Sequence, residues 1–232
     1  MNTKPKRIDV HHHILPPNFV SALNSLNIPW TGGPEVPSWS LQQAHDMMGA
    51  MGIDAAVASP SPGVYWGGDT GFAVKLARET NEFVADVVRD DSEHFGGFAT
   101  IPLPDVDASL EEVEYAYDTL GLDGVVLYTS QGDRYLGDRS YDPFFEELDR
   151  RKAIVFIHPT TIPPGSGAPI SPAAGENRHQ LLRRNDLELG IRAVTRLLIQ
   201  PPSAKTRHVT ETGSLHVLVG DFDHQLGTQR LP

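Results

Sequence analysis

Cysteine is absent from this 232-residue chain. That excludes disulfides and thiolate ligands, so any bound metal must use His, Asp, Glu or water. Long apolar runs are missing as well. Nothing approaches the roughly 20 residues of a membrane-spanning helix, and the first apolar run reads as a strand, not as a secretory h-region. The expectation is a cytoplasmic protein with no membrane partner. Basic side chains are scarce: 19 Lys and Arg stand against 30 Asp and Glu, a formal net charge of −11. Such a balance disfavours nucleic acid or an anionic membrane as the main partner. No Gly-x-Gly-x-x-Gly follows the first strand pattern and no phosphate loop occurs, which disfavours the nucleotide-binding α/β architectures.

What remains is an ordinary globular composition, 39% hydrophobic and 21% charged, with length enough for one buried core. Strand patterns at Ile8–His13, Asp54–Ser59, Phe95–Leu103, Gly124–Thr129 and Ala153–His158 alternate with helical ones. Ser40 to Gln43 reads as a capping box, followed by an apolar stripe of Ala44, Met47, Met48 and Met51 taken as core filler. A helix is expected from Thr70 to Arg89 with Phe72, Leu76, Phe83 and Val87 inward. Ser109 to Glu112 reads as a second capping box for a helix ending at Gly121, and Asp142-Pro143 opens another that runs to Arg151. Glu111, Glu112, Glu114, Glu146 and Glu147 fall on expected solvated faces.

Repeated strand–helix units with continuous apolar strands imply a parallel sheet covered by helices, as a (β/α) barrel or an open doubly wound sheet. Polar and aromatic residues gather just after the strands: His11 and His13, Ser59 to Trp66, Tyr128 and Thr129, and His158. Barrels carry their active sites at the C-terminal strand ends, so the pattern favours a barrel. Charge turns from acidic to slightly basic near residue 175 and clear periodicity fades there. Residues 1–232 are expected to form one domain, with residues 176–232 a divergent tail.

Arg7–Pro17 ends its apolar run in three histidines. Alternation along a strand puts His11 and His13 on one face and His12 on the other. Two imidazoles at a strand mouth make half of a divalent-metal site; a tag remnant or a surface cluster are the plainer alternatives. His158, ending the run Ile154–His158, supplies a third imidazole. A carboxylate is still wanted, and Asp221, just past the strand pattern His216–Gly220, offers one, with Asp223 as the alternative.

Arg7–Pro17, Val155–Thr160 and the βα pattern between them resemble the amidohydrolase-2 family of the amidohydrolase superfamily, in the branch of aminocarboxymuconate-semialdehyde and 6-methylsalicylate decarboxylases. The resemblance covers roughly residues 7–165. It implies a TIM-like (β/α) barrel of the metal-dependent hydrolase type and one divalent metal, zinc or sometimes manganese. It also implies non-oxidative decarboxylation of a small aromatic or unsaturated carboxylic acid, in the setting of secondary metabolism. His11, His13 and His158 match the first three ligands, Asp221 a fourth, and the loop Ser59–Trp66, with Tyr65 and Trp66, falls where the substrate pocket is lined. The Ser-His-Ala-Gly-Gly-like motif that carries the catalytic histidine has no counterpart, so that residue is unassigned. A segment lost between about Gln200 and Leu215, a barrel incomplete at its C-terminal end and weak or no turnover are the expectations that follow. A metal-dependent hydrolase of a lactone or amide, and a non-catalytic remnant that binds metal or a partner, stay open, as does a homodimer.

Overall fold

The computed structural model describes residues 7–26, 36–60, 69–128, 130–131, 134–158 and 216–219. By its internal contacts the chain divides into two compact units, residues 1–126 and 127–232.

The first unit is built from βα repeats. β1 (Ile8–Ile14) leads through α1 (Pro17–Ser25) and α2 (Leu41–Met51) to β2 (Ala55–Pro60). Then come α3 (Thr70–Asp90), β3 (Phe95–Thr100), α4 (Val106–Glu114) and the start of β4 (Gly124–Tyr128). The strands lie side by side in chain order and all are parallel, with Asp9 opposite Ala56, Ala56 opposite Phe95 and Thr100 opposite Val126. Parallel order follows from the crossover helices, which return each strand to the same edge of its predecessor. Ile14, Leu15, Phe19, Leu23, Leu76, Ala77 and Val84 are buried between the strands and α1 and α3. α3 approaches β3 very closely at Gly97. A Cβ there would fall 2.6 Å from Val84 Cγ1 and 2.9 Å from Leu122 Cδ2, so only glycine lets the helix settle.

Local chemistry fixes the boundaries. Ser40 Oγ caps α2 by accepting from the Gln43 amide at 3.2 Å, and Gly52 ends the helix at φ 65°. Arg7 ties the start of β1 to the α2–β2 turn: its amide donates to Asp54 Oδ2 at 2.7 Å and its Nη1 to the Met51 carbonyl at 2.6 Å. β3 stops at Thr100, three residues earlier than the apolar pattern suggests, because Pro102 and Pro104 cannot donate to a ladder.

Four expectations need correction. In α2 only Ala44 and Met48 are buried; Met47 and Met51 are 41% and 48% exposed, because the helix packs by a narrower stripe. In α3 Leu76 and Val87 are buried as expected and Phe72 packs partly buried against the core, but Ala73, Ala77, Thr80, Asn81 and Val84 share the inward face and Phe83 is half-buried against Trp39. α4 starts before Ser109, capped by Asp105, whose carboxylate accepts from the Ala108 amide at 3.0 Å. Ser109 is buried inside the helix and donates to the Asp105 carbonyl. Glu112 is also buried, since the earlier start turns it toward α3. α4 then widens into a π-helical turn at Tyr115–Thr119 before Gly121 ends it at φ 69°.

In the second unit a short antiparallel pair, β5 (Ser130–Gln131) and β6 (Arg134–Tyr135), precedes a 3₁₀ turn at Arg139–Tyr141 and α5 (Asp142–Arg151). β7 (Ile154–His158) follows, parallel to β8 (His216–Val219), with Ile154 opposite His216. Leu136, Tyr141, Phe144, Leu148, Val155 and Phe156 are buried here. Glu147 is held down to about 2 by its bonds from Arg150 first and Arg151 second.

Candidate metal centre

His11 and His13 project from one side of β1 and their Nε2 atoms stand 2.8 Å apart, the rings edge to face. Two imidazole lone pairs cannot face each other at that distance unless a proton or a cation lies between them. The pair thus offers two convergent neutral nitrogen donors, the first half of a zinc-type ligand set. His12 points the opposite way. It is buried, packs edge-on against Phe95 with ring centroids 5.8 Å apart, and faces Asp9 Oδ2 at 3.3 Å through Nδ1. The alternation expected from the strand period is what β1 adopts.

Asp9 is the residue that sequence reasoning missed. Its Oδ1 accepts from the His11 amide at 3.0 Å while Oδ2 faces His12, so one carboxylate braces both neighbours across a shift in the β1–β2 register. The hydrogen bond with His12 is the largest reason its carboxyl lies below the usual range. The available signal was an acidic residue in the strand two positions before the first histidine.

In the second unit His158 closes β7, 5% exposed, edge-on to Tyr128 at 5.3 Å and to Phe156 at 6.4 Å. Asp221, Tyr65 and Trp66 lie outside the described residues, as do the Asp223 alternative and the Gln200–Leu215 segment.

Behind the C-terminal end of β3 a buried polar network replaces apolar packing. Asn81 donates to the Thr100 carbonyl at 2.9 Å and to Glu112 Oε1 at 2.8 Å, and accepts from the Thr100 amide at 2.8 Å. Arg78 Nε donates to Glu112 Oε2 at 2.9 Å while its guanidinium lies 3.6 Å over the Tyr115 ring. Burial raises the Glu112 carboxyl, and the bonds from Asn81 and Arg78 oppose that rise.

The family model Amidohydro_2, described as amidohydrolase, matches residues 8–204. The chain belongs to the amidohydrolase family. Its fold class is accordingly the α/β, TIM-like barrel type expected from the strand and motif pattern. This amidohydrolase is 40% identical over 164 residues to the decarboxylase YanB of Aspergillus niger, covering 66% of this chain and 43% of that protein. It is 38% identical over 161 residues to the 6-methylsalicylic acid decarboxylase AcuB of Aspergillus aculeatus, covering 66% and 48%. The chain therefore spans about half the length of the curated relatives it matches. Among solved structures it resembles an amidohydrolase II with a TM-score of 0.72 and 25% identity, over 82% of this chain and 61% of that one. It also shares its fold with a dihydroxybenzoic acid decarboxylase of Polaromonas crystallised with bound manganese and 2-nitroresorcinol (TM-score 0.63, 19% identity, 82% of this chain and 60% of that one). Among the described residues, no helix is long and apolar enough to cross a membrane.

Proposed function

We propose that this amidohydrolase is a metal-dependent non-oxidative decarboxylase of a small aromatic carboxylic acid. The observation that carries this reading is the convergent Nε2 pair of His11 and His13 at the C-terminal end of β1, in a chain whose relatives are decarboxylases. His158 is the third ligand in this proposal and Asp221 the fourth. His158 is the last residue of β7, His11 and His13 stand in the C-terminal half of β1, and the family match runs through all three. The reading takes residues 1–232 as one amidohydrolase-like domain with 176–232 a divergent tail, and the family match over residues 8–204 supports its amidohydrolase character.

A divalent ion in this His-rich set, zinc in our reading with manganese the competing outcome, supplies Lewis-acid polarisation and a fixed point for the acid. The protein's own contribution begins with Asp9, which fixes the backbone of His11 and holds His12 away from the substrate side. Tyr65 and Trp66 provide aromatic surface against the substrate ring. Decarboxylation then requires a proton at the ring carbon bearing the carboxylate. The carbon–carbon bond breaks as aromaticity returns, and carbon dioxide leaves with the oxygen atoms of the acid. No histidine is assigned to deliver that proton, and general acid help is worth about 10²–10⁴-fold. Turnover is therefore expected to be slow. The net charge of −11 disfavours nucleic acid or an anionic membrane as partner, and the reading takes a small acid as substrate in a cytoplasmic setting.

The test is carbon dioxide release from 6-methylsalicylate with zinc or manganese added. The expected result is slow release that needs the metal and vanishes in His13→Ala. Acid release from a lactone without carbon dioxide would make the chain a hydrolase instead. Tight metal binding with neither product would reduce it to a binding protein.

A further inference from the structure

A second group of donors occupies the opposite end of the same strands. His45 lies in α2, while Asp91 and His94 flank the turn from α3 into β3. The turn is closed by the backbone: the amide of Asp91 donates to the Val87 carbonyl, and the amides of His94 and Phe95 donate to the Asp91 carbonyl at 3.2 and 3.0 Å. Asp91 Oδ2 is 2.6 Å from His45 Nε2, and Oδ1 is 2.8 Å from His94 Nδ1. The two imidazoles meet edge to face with centroids 5.1 Å apart, and Phe95 backs His45 at 5.7 Å. One donor atom from each of the three lies within 4.8 Å of the others. Asp91 is 17% exposed, His45 33% and His94 44%, so water and ions reach the group.

We propose that His45, Asp91 and His94 form a second binding site for a divalent transition metal of the zinc class. Two neutral imidazoles and one carboxylate suit zinc, cobalt(II) and nickel(II), with water filling the open positions. The carboxylate sits at the C-terminal end of α3, where the helix dipole is negative, so a cation there is favoured over an isolated carboxylate. Metal–ligand bonds of about 2.0–2.2 Å need the donor atoms only slightly rearranged from their hydrogen-bonded contacts. In each neutral imidazole the proton shared with Asp91 passes through water to the other ring nitrogen, and the freed nitrogen turns to the ion. The site joins α2 to a turn about 46 residues along the chain, so the bound ion acts as a cross-link. It does not depend on the decarboxylase reading and shares no residue with the His11 and His13 centre.

The experiment uses the full chain and zinc alone, measured by equilibrium dialysis, with cobalt(II) absorption as the report on ligand type. In a His11→Ala, His13→Ala background, the expected result is one retained zinc. Adding His45→Gln or Asp91→Asn should lower its affinity by more than about 100-fold, beyond what loss of a merely supporting contact costs. Zinc should also raise the thermal midpoint of the background variant by several degrees, and His45→Gln should cancel that shift. If the background variant does not fold, the same loss of one equivalent is read in the otherwise unaltered chain carrying His45→Gln and His94→Gln. Failure to retain zinc in a folded background variant, or retention unchanged by His45→Gln and His94→Gln, overturns the proposal.

Discussion

Two histidine clusters stand at opposite ends of one set of parallel strands, and they differ in what lies behind the imidazoles. At the C-terminal end of β1, His11 and His13 turn their Nε2 atoms toward each other, and the nearby carboxylate of Asp9 holds the backbone and His12 instead of entering the pair. At the other end, Asp91 sits between His45 and His94 and bonds to both. Phe95 lies between the two ends, touching His12 on one side and His45 on the other. In the first arrangement two imidazole nitrogens face each other; in the second a carboxylate stands between the imidazoles. Imidazoles in number do not make a reaction centre. The two ends differ in where the carboxylate stands relative to the imidazoles.

The sharpest way to break this comparison is to delete one histidine from each end. His13→Ala should reduce metal-dependent carbon dioxide release by about 10³-fold or more, the scale of losing the ion's charge stabilisation. His94→Ala should leave the same rate within about twofold, since His94 stands at the end of the strands away from His11 and His13. Equal losses would mean that the two ends are not functionally distinct.

The next largest effect belongs to the support behind the strand ends. Asn81→Leu removes three hydrogen bonds, leaves the Thr100 amide and carbonyl unmet and strips Glu112 of one donor. Buried groups left in that state should cost about 3 kcal/mol or more, read from the urea midpoint at unchanged m-value. A loss below about 1 kcal/mol would show that water or a neighbour replaces Asn81.

A smaller effect is expected at Asp9. Asp9→Asn keeps the shape but weakens the charge-assisted bonds, and metal affinity at the β1 pair should fall by roughly tenfold. Competition with a chelating indicator dye measures it. No change in affinity would demote Asp9 to a purely local brace.

The smallest effect is a slope in pH. Burial raises the Glu112 carboxyl above its ordinary 4.5. The folded state then holds its proton more tightly than the unfolded chain, so this carboxyl favours folding most below the ordinary value. That contribution is lost as pH rises from 4.5 through the higher folded value. Glu112→Gln should flatten stability across that window in urea titrations at stepped pH, and an unchanged slope would assign it to other groups.

Much of this was legible before any coordinates. The His-x-His of β1 needed only the two-residue strand period, Ser40 announced the start of α2, and the parallel strands followed from alternating patterns. Glu112 was misread because its burial depends on α4 starting at Val106, and Asp105 outcompeted Ser109 as the cap. Met47 and Met51 were misread because hydrophobicity marks the residues that can be buried, whereas the docking angle of a helix picks those that are.

The amino-acid sequence by itself determined the strand–helix alternation, the absence of thiolate chemistry and the histidines on one face of β1. All three depend on residue identity and local period alone. Tertiary structure decided which carboxylates matter. Asp9, Asp91 and Glu112 are ordinary acidic residues in the chain, and only folding puts one against the strand backbone, one between two imidazoles and one beneath an arginine. Their roles depend on partners 2 to 46 residues away and on the water each loses, which no local pattern encodes.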